Sequence, residues 1–335
     1  RDAEGQKTPG TNDAENADRT KANPEDNVSD ALLAKIVFAP NEDHRFRFTI
    51  DALRQDISWD VLSARSKPPL GSTSVLRLVA RDEIRRDRFT LDHDYKGEGF
   101  IRSARTSLFY QAATTRQLSW EDRNTAADRE RDSTFDNAVW GFGTQLESRF
   151  DTGAVRHRLT WGADLSSTSQ TSLRDGVVPP AGETFPTRPF PDTDYLIAGV
   201  FAQDEIALLD GALTIYPALR LDYYRLDPRK TDPLYHGPAP VDSSDTHLSP
   251  KLGLVWKIDD SFAVFLNLAE GFKAPAPGQV NTNFANPIQN YASLSNPDLA
   301  PETSRTVEGG VRYGDGSWSV SVAGFWGEYD DFISQ

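Results

Sequence analysis

The chain has 335 residues, a formal net charge of −14, no cysteine and no methionine. That charge argues against a nucleic-acid binder that works by phosphate neutralisation, and the lack of Cys removes disulfide frameworks, thiolate metal sites and a Cys nucleophile. No run of 18 apolar residues exists, which excludes a transmembrane helix, while a transmembrane β-barrel stays open because its strands are apolar on one face only. The mean hydropathy of −0.55 suits a soluble protein or such a barrel equally.

In chain order, residues 1–30 are polar, rich in Asn and Asp and without periodicity, so they are expected to be irregular and exposed. No Lys/Arg-led apolar signal segment opens the chain. With no initiator Met, the expectation is a piece of a longer protein.

From Ala31 onward the pattern has period 2. In "HRFRFTID", Phe46, Phe48 and Ile50 share one face, and Arg45, Arg47, Thr49 and Asp51 the other. "AVRHRLTWGADLS" sets Val155, His157, Leu159 and Trp161 against Arg156, Arg158 and Thr160. "LTIYPALRLDYY", "SFAVFLNLAEG" and "SWSVSVAGFWG" behave the same way. No segment has a convincing 3.6 period, so the chain reads as all-β.

The connections are predicted to alternate short and long. Short, turn-rich stretches fall at 40–43, 96–99, 151–153, 210–211, 259–260 and 314–316. Long ones fall at about 58–72, 118–133, 171–194, 227–247 and 271–303. About twelve strands result. In an up-and-down meander, alternate connections emerge at opposite ends, so all the short turns share one rim and all the long loops the other. That asymmetry is the pattern of an outer-membrane barrel. The reading is therefore an antiparallel up-and-down transmembrane β-barrel, partial, with about twelve strands of a larger barrel spanning 31–335. A soluble β-sheet binding module is the remote alternative.

Aromatics such as Trp140, Trp161, Trp256 and Trp318 are expected near strand ends as interfacial girdles. Arg102, Arg156, Arg158, Arg220 and Asp222 would face a water-filled or plugged lumen. Paired acids at 259–260 and 330–331 sit at turns or strand ends, where Asp is favoured by turn chemistry alone. With no Ser-His-Asp arrangement, HExxH or phosphate loop, no enzyme is expected.

"LAEGFKAPAPGQ" followed by "NPDLAPETSRTVEGGVRYGDGSWSVSVAGFWGEYDDFIS" resembles the barrel of TonB-dependent outer-membrane receptors. "YLIAGVFAQDEIALLDGALTIYPALRLDYYRL" resembles a central hairpin of that family. Within it, FKAP (Phe272, Lys273, Ala274, Pro275) and NPDL (Asn296, Pro297, Asp298, Leu299) look like the two boxes of haem and haemoprotein receptors. Lys273 stands in place of the usual Arg and Asp298 in place of the usual Asn. The resemblance implies haem as a transported ligand, with no tightly bound cofactor and no metal. It also implies a TonB complex, reached through a plug domain that this chain lacks, and a lipid bilayer as partners. A ferric siderophore or other nutrient is the alternative cargo.

Many haem receptors place a His between the two boxes, and here none lies between Pro275 and Asn296. Tyr291, whose phenolate can bind ferric haem, is paired with His236 as the preferred ligand set, and His247 is a further candidate. Tyr291 also suits packing inside a long loop, and His236 an exposed loop position.

Overall fold

The computed structural model describes residue 11, residues 15–286 and residues 291–333, excepting the side chains of 285, 286 and 291. Twelve strands form one antiparallel sheet in strict chain order. They are β1 (Glu25–Phe38), β2 (His44–Asp60), β3 (Val75–Lys96), β4 (Ile101–Arg123), β5 (Arg129–Thr152), β6 (Val155–Val177), β7 (Thr193–Leu208), β8 (Leu213–Pro228), β9 (Ser243–Lys257), β10 (Phe262–Lys273), β13 (Glu302–Gly314) and β14 (Ser319–Asp330). A single turn of helix, α1 (Pro277–Val280), and a separate hairpin of β11 (Asn283–Asn286) and β12 (Tyr291–Leu294) lie between β10 and β13.

The alternation of connections holds, with one correction. Short turns occupy 39–43, 97–100, 153–154, 209–212, 258–261 and 315–318, and long loops 61–74, 178–192, 229–242 and 274–301. The loop expected at 118–133 is only 124–128, because β4 runs to Arg123 and β5 starts at Arg129. Trp120↔Glu130 and Leu118↔Asp132 stay in register there. Polar residues of these strand ends look like loop in the sequence, but beyond a membrane polarity does not end a strand.

The tightest turn depends on a glycine. Thr152 pairs with Val155, and Gly153 takes φ +66°, a left-handed conformation that costs glycine nothing.

Register shows how one sequence builds two unlike faces. Ile36, Phe48, Leu91, Leu108, Phe142, Leu165, Ala198 and Tyr223 pair in succession across β1 to β8, forming one continuous row. One residue along each strand, Arg47, Asp92, Ser107, Gly143, Asp164, Gly199, Asp222 and His247 form the matching row on the opposite face. The large side chains of the apolar row are solvent-exposed; Leu91, for example, is 47 % exposed. An apolar belt of this extent requires cover, and lipid supplies it for a membrane barrel.

The apolar belt covers only the half of the long strands nearer the short turns. Beyond it the same face becomes charged: Arg54 meets Asp87 at 2.6 Å, Arg81 meets Asp56 at 2.6 Å, and Arg116 meets Asp132. Trp140 marks the change. It lies in the middle of β5 rather than at its end, against Tyr110 (ring centroids 4.6 Å). The expectation of aromatics at strand ends fails there because the strand continues past the membrane.

The polar N-terminal stretch is shorter than its composition suggests. β1 opens at Glu25, since Val28 and the residues after it pair along β2. The described residues before it pack against loop 61–74. Ser63 N donates to Asn23 Oδ1 (3.0 Å), Asn23 Nδ2 donates to Ser63 Oγ (2.9 Å), Lys67 pairs with Asp18, and Arg19 is only 8 % exposed. Among the described residues the buried apolar side chains are few, and most of them, Tyr224, Leu226, Tyr235 and Val280, sit under the long loops, with Phe265 apart from them near the start of β10.

Candidate functional site

Three of the long loops form one platform. Arg174 and Thr187 exchange backbone hydrogen bonds of 2.8 Å, and the Arg188 amide donates to the Leu234 carbonyl at 2.8 Å. These two contacts tie loop 178–192 to the top of β6 and to loop 229–242. Asn281, 2 % exposed, reaches from the far end of α1 to Val241, accepting from its amide (2.9 Å) and donating to its carbonyl (2.8 Å). The Asn283 amide then donates to the Pro189 carbonyl at 2.7 Å. Backbone groups of loops removed from water must find partners, and these loops find them in one another.

Arg188 sits at the junction. It donates to the Ser172 carbonyl at 2.7 Å and faces Asp192 at 2.7 Å and Asp232 at 3.1 Å. The Asp232 side chain is 2 % exposed, so removing Arg188 would leave a buried carboxylate without its counter-charge. Burial also raises the pKa of the nearby Tyr235 phenol above its usual value.

Between the three loops opens a cavity of about 390 Å³, lined by Arg174, Glu183, Thr187, Arg188, His236, Asn283 and Phe284 among others. The Arg174 guanidinium lies 4.7 Å from the centre of the Phe284 ring and pairs with Glu183 at 3.1 Å. A cation, an aromatic face and an imidazole lining one cleft can hold a conjugated ligand that carries carboxylates.

The structure separates the residues named from sequence. His236 is exposed at this cavity. His247 is not in the loop: it lies within β9, stacked on Phe272 at 4.9 Å with its Nε2 buried and without a hydrogen-bond partner. Phe272 also approaches Tyr224 at 6.1 Å. Tyr291 opens β12 opposite Asn286; its side chain lies outside the described residues.

The two boxes have different surroundings. FKAP is the end of β10 and the loop base, with Pro275 fully buried and Lys273 bound to Glu302 at 2.8 Å. NPDL is an exposed turn in which the Leu299 amide donates to the Asn296 carbonyl at 3.3 Å. Asn296, Asp298 and Leu299 line a second cavity of about 690 Å³ with Asp331 and Phe332. Among its described lining residues the charged groups are acidic. Sequence reasoning missed Arg174, Arg188, Phe284 and Asn281. The sequence offers one signal, Arg174 just before and Arg188 within a Pro-rich loop, but their convergence depends on three loops far apart in the chain.

Residues 34–335 match the family model described as TonB dependent receptor-like, beta-barrel. An iron-regulated outer membrane virulence protein of Vibrio cholerae strain O395 is 24% identical over 297 residues, covering 80% of this chain and 44% of the relative. The same-named protein of strain N16961 is 31% identical over 91 residues, covering 27% of this chain and 14% of the relative. The chain thus spans less than half the length of these relatives. Among solved structures, the Serratia marcescens hemophore receptor HasR, in complex with its hemophore and heme, aligns at TM-score 0.60 and 16% identity, over 92% of this chain and 55% of that one. The Acinetobacter baumannii siderophore receptor PirA aligns at 0.63 and 16%, over 93% and 44%. The copper transporter OprC aligns at 0.57 and 15%, over 93% and 54%. At these identities the structures share the fold.

Proposed function

Because the chain belongs to the family of TonB dependent receptor-like β-barrels, we propose that it is part of an outer-membrane receptor that takes up haem or a haemoprotein as an iron source, energised through TonB. It is an outer-membrane β-barrel protein and not an enzyme. Its long loops face outward and its short turns face the periplasm, as in barrels of this kind.

The observation that carries the reading is the loop cavity in which His236, Arg174, Arg188 and Phe284 converge. Haem is a flat conjugated ring with two carboxylates. A guanidinium suits the carboxylates, an aromatic face suits the ring, and an imidazole can ligate the iron. Tyr291, on the hairpin strand next to Phe284, is the second proposed iron ligand. His247, packed on Phe272, acts by holding the loop base. The plug that contacts TonB would come from outside this chain.

A ferric siderophore is the second reading, favoured by the absence of His between the boxes. The test is growth of a strain carrying the full receptor on haem as sole iron source, with haem binding followed by absorbance. Haem-dependent growth, with affinity reduced in His236→Ala and Tyr291→Ala, supports the reading. Growth only on a ferric siderophore, or unchanged haem affinity in both variants, overturns it.

A further inference from the structure

The two guanidiniums that line the loop cavity are held in unlike ways. Arg188 is saturated: it donates to the Ser172 carbonyl at 2.7 Å and faces two carboxylates, Asp192 at 2.7 Å and Asp232 at 3.1 Å. Arg174 pairs with a single carboxylate among the described residues. Its Nη2 donates to Glu183 Oε1 at 3.1 Å. Oε2 of the same carboxylate also lies 3.1 Å away, but it is buried and without a hydrogen bond. The two side chains are only 18 % and 12 % exposed. Burial, the largest influence, lowers the Arg174 pKa from its ordinary value, Glu183 raises it, and the nearby Arg131 lowers it further. A guanidinium so placed needs an anion beside it at all times.

Glu183 reaches Arg174 from the loosely held half of its loop. Backbone bonds fix the other half: Thr187 to Arg174, Arg188 to Leu234 and Pro189 to Asn283. Within residues 179–186 the described backbone bonding is one local turn, the Glu183 amide donating to the Pro180 carbonyl at 3.0 Å. Among the described residues, the Glu183 carboxylate is therefore the polar tie between that stretch and β6. We propose that Glu183 is a built-in stand-in for a carboxylate of the cargo. It holds Arg174 until a ligand carboxylate displaces it, and so selects carboxylate-bearing ligands over ligands of the same shape that lack the charge. This rests on the reading of the cavity as a haem site.

The exchange conserves charge pairing. One carboxylate leaves the guanidinium as another arrives, and the released Glu183 turns out to water on the stretch 179–186. A ligand without a carboxylate must either sit beside an intact pair, in a narrower cavity, or leave Arg174 unpaired, which is costly for a buried charge. An incoming carboxylate can also accept from the guanidinium through both of its oxygens. That bidentate geometry is the stronger one, and Glu183, with Oε2 idle, does not achieve it. Arg188 offers no such exchange, because its two acids and the Ser172 carbonyl already occupy it.

The test compares haem with haem dimethyl ester, whose carboxylates are masked, by absorbance titration of the detergent-solubilised full receptor. Glu183→Gln keeps the size of the side chain and removes the competing charge. It should tighten haem binding by about 10-fold or more, the scale of one charge-assisted hydrogen bond, and leave binding of the ester unchanged. Arg174→Gln should weaken haem binding, and in that background Glu183→Gln should have no effect. Haem bound no more tightly by Glu183→Gln than by the wild type, or an equal gain for the ester, overturns the proposal and leaves the haem reading in place. Haem bound by neither protein overturns the haem reading, and this proposal falls with it.

Discussion

Arg220 grips Asp164 from two strands away, over a glycine. Arg220 Nη1 and Nη2 donate to the two Asp164 oxygens at 2.8 and 3.0 Å, while Nε donates to Asp222 at 2.8 Å. Gly199 lies between the two acids in the row. A Cβ there would stand 2.2 Å from Arg220 Nη2 and 2.9 Å from Asp222 Oδ1. Gly199→Ala should displace the fork and lower stability by about 1–3 kcal/mol, the usual cost of overpacking. Urea unfolding of the refolded protein measures it. A midpoint equal to wild type would show that the fork yields freely.

The loop platform has a comparable single point of failure. Asn281→Ala removes two hydrogen bonds to Val241 and leaves its amide and carbonyl without that partner. The local cost should be about 1–3 kcal/mol, and it should appear as faster amide hydrogen exchange across 229–242 with the strands unchanged. Exchange confined to 274–301 would mean that the clasp does not couple the loops.

At the loop base, the Lys273 ammonium holds the Glu302 carboxyl below its ordinary value of 4.5. A depressed carboxyl contributes stability above its ordinary pKa and loses it as pH falls through the lower folded value. The Ile333 amide, which donates to the same carboxylate at 3.3 Å, reports the transition. Its protection should persist to below pH 4.5 in the wild type and fail at higher pH in Lys273→Gln. Identical acid profiles would remove Lys273 as the cause.

Where lipid ends can be tested on one strand. Leu252 and Ser244 share a face of β9, Leu252 beside the apolar belt and Ser244 toward the loops. Leu252→Arg should destabilise the protein by about 2–4 kcal/mol if it lies near the midplane, and Ser244→Arg by under 1 kcal/mol, as near an interface. Equal penalties at both positions would move the boundary.

The strands and rims were legible because period-2 alternation and turn residues are local. Phe46, Phe48 and Ile50 announce β2 without help from the rest of the chain. The short connection at 124–128 was not legible, since Glu121, Arg129 and Glu130 look like loop residues when solvation is the only guide. Box residues marked the right loop, yet FKAP turned out to hold its base. The cavity was hidden for a different reason. Arg174, His236 and Phe284 are brought together by backbone contacts between loops, and a linear pattern carries no trace of those. His44 and His93 lie beside short turns, but their 3.0 Å contact follows from a diagonal register that only the sheet reveals.

The charged upper half of the strands has one more consequence, a matter of height. From Asp136 to Arg129, β5 climbs about 18 Å above the apolar belt, at ~3.4 Å per residue and a tilt of roughly 40°. Lipid headgroups occupy only about 5–8 Å on each side of the hydrocarbon. The tip of the β4–β5 hairpin, at 124–128, therefore stands clear of the bilayer.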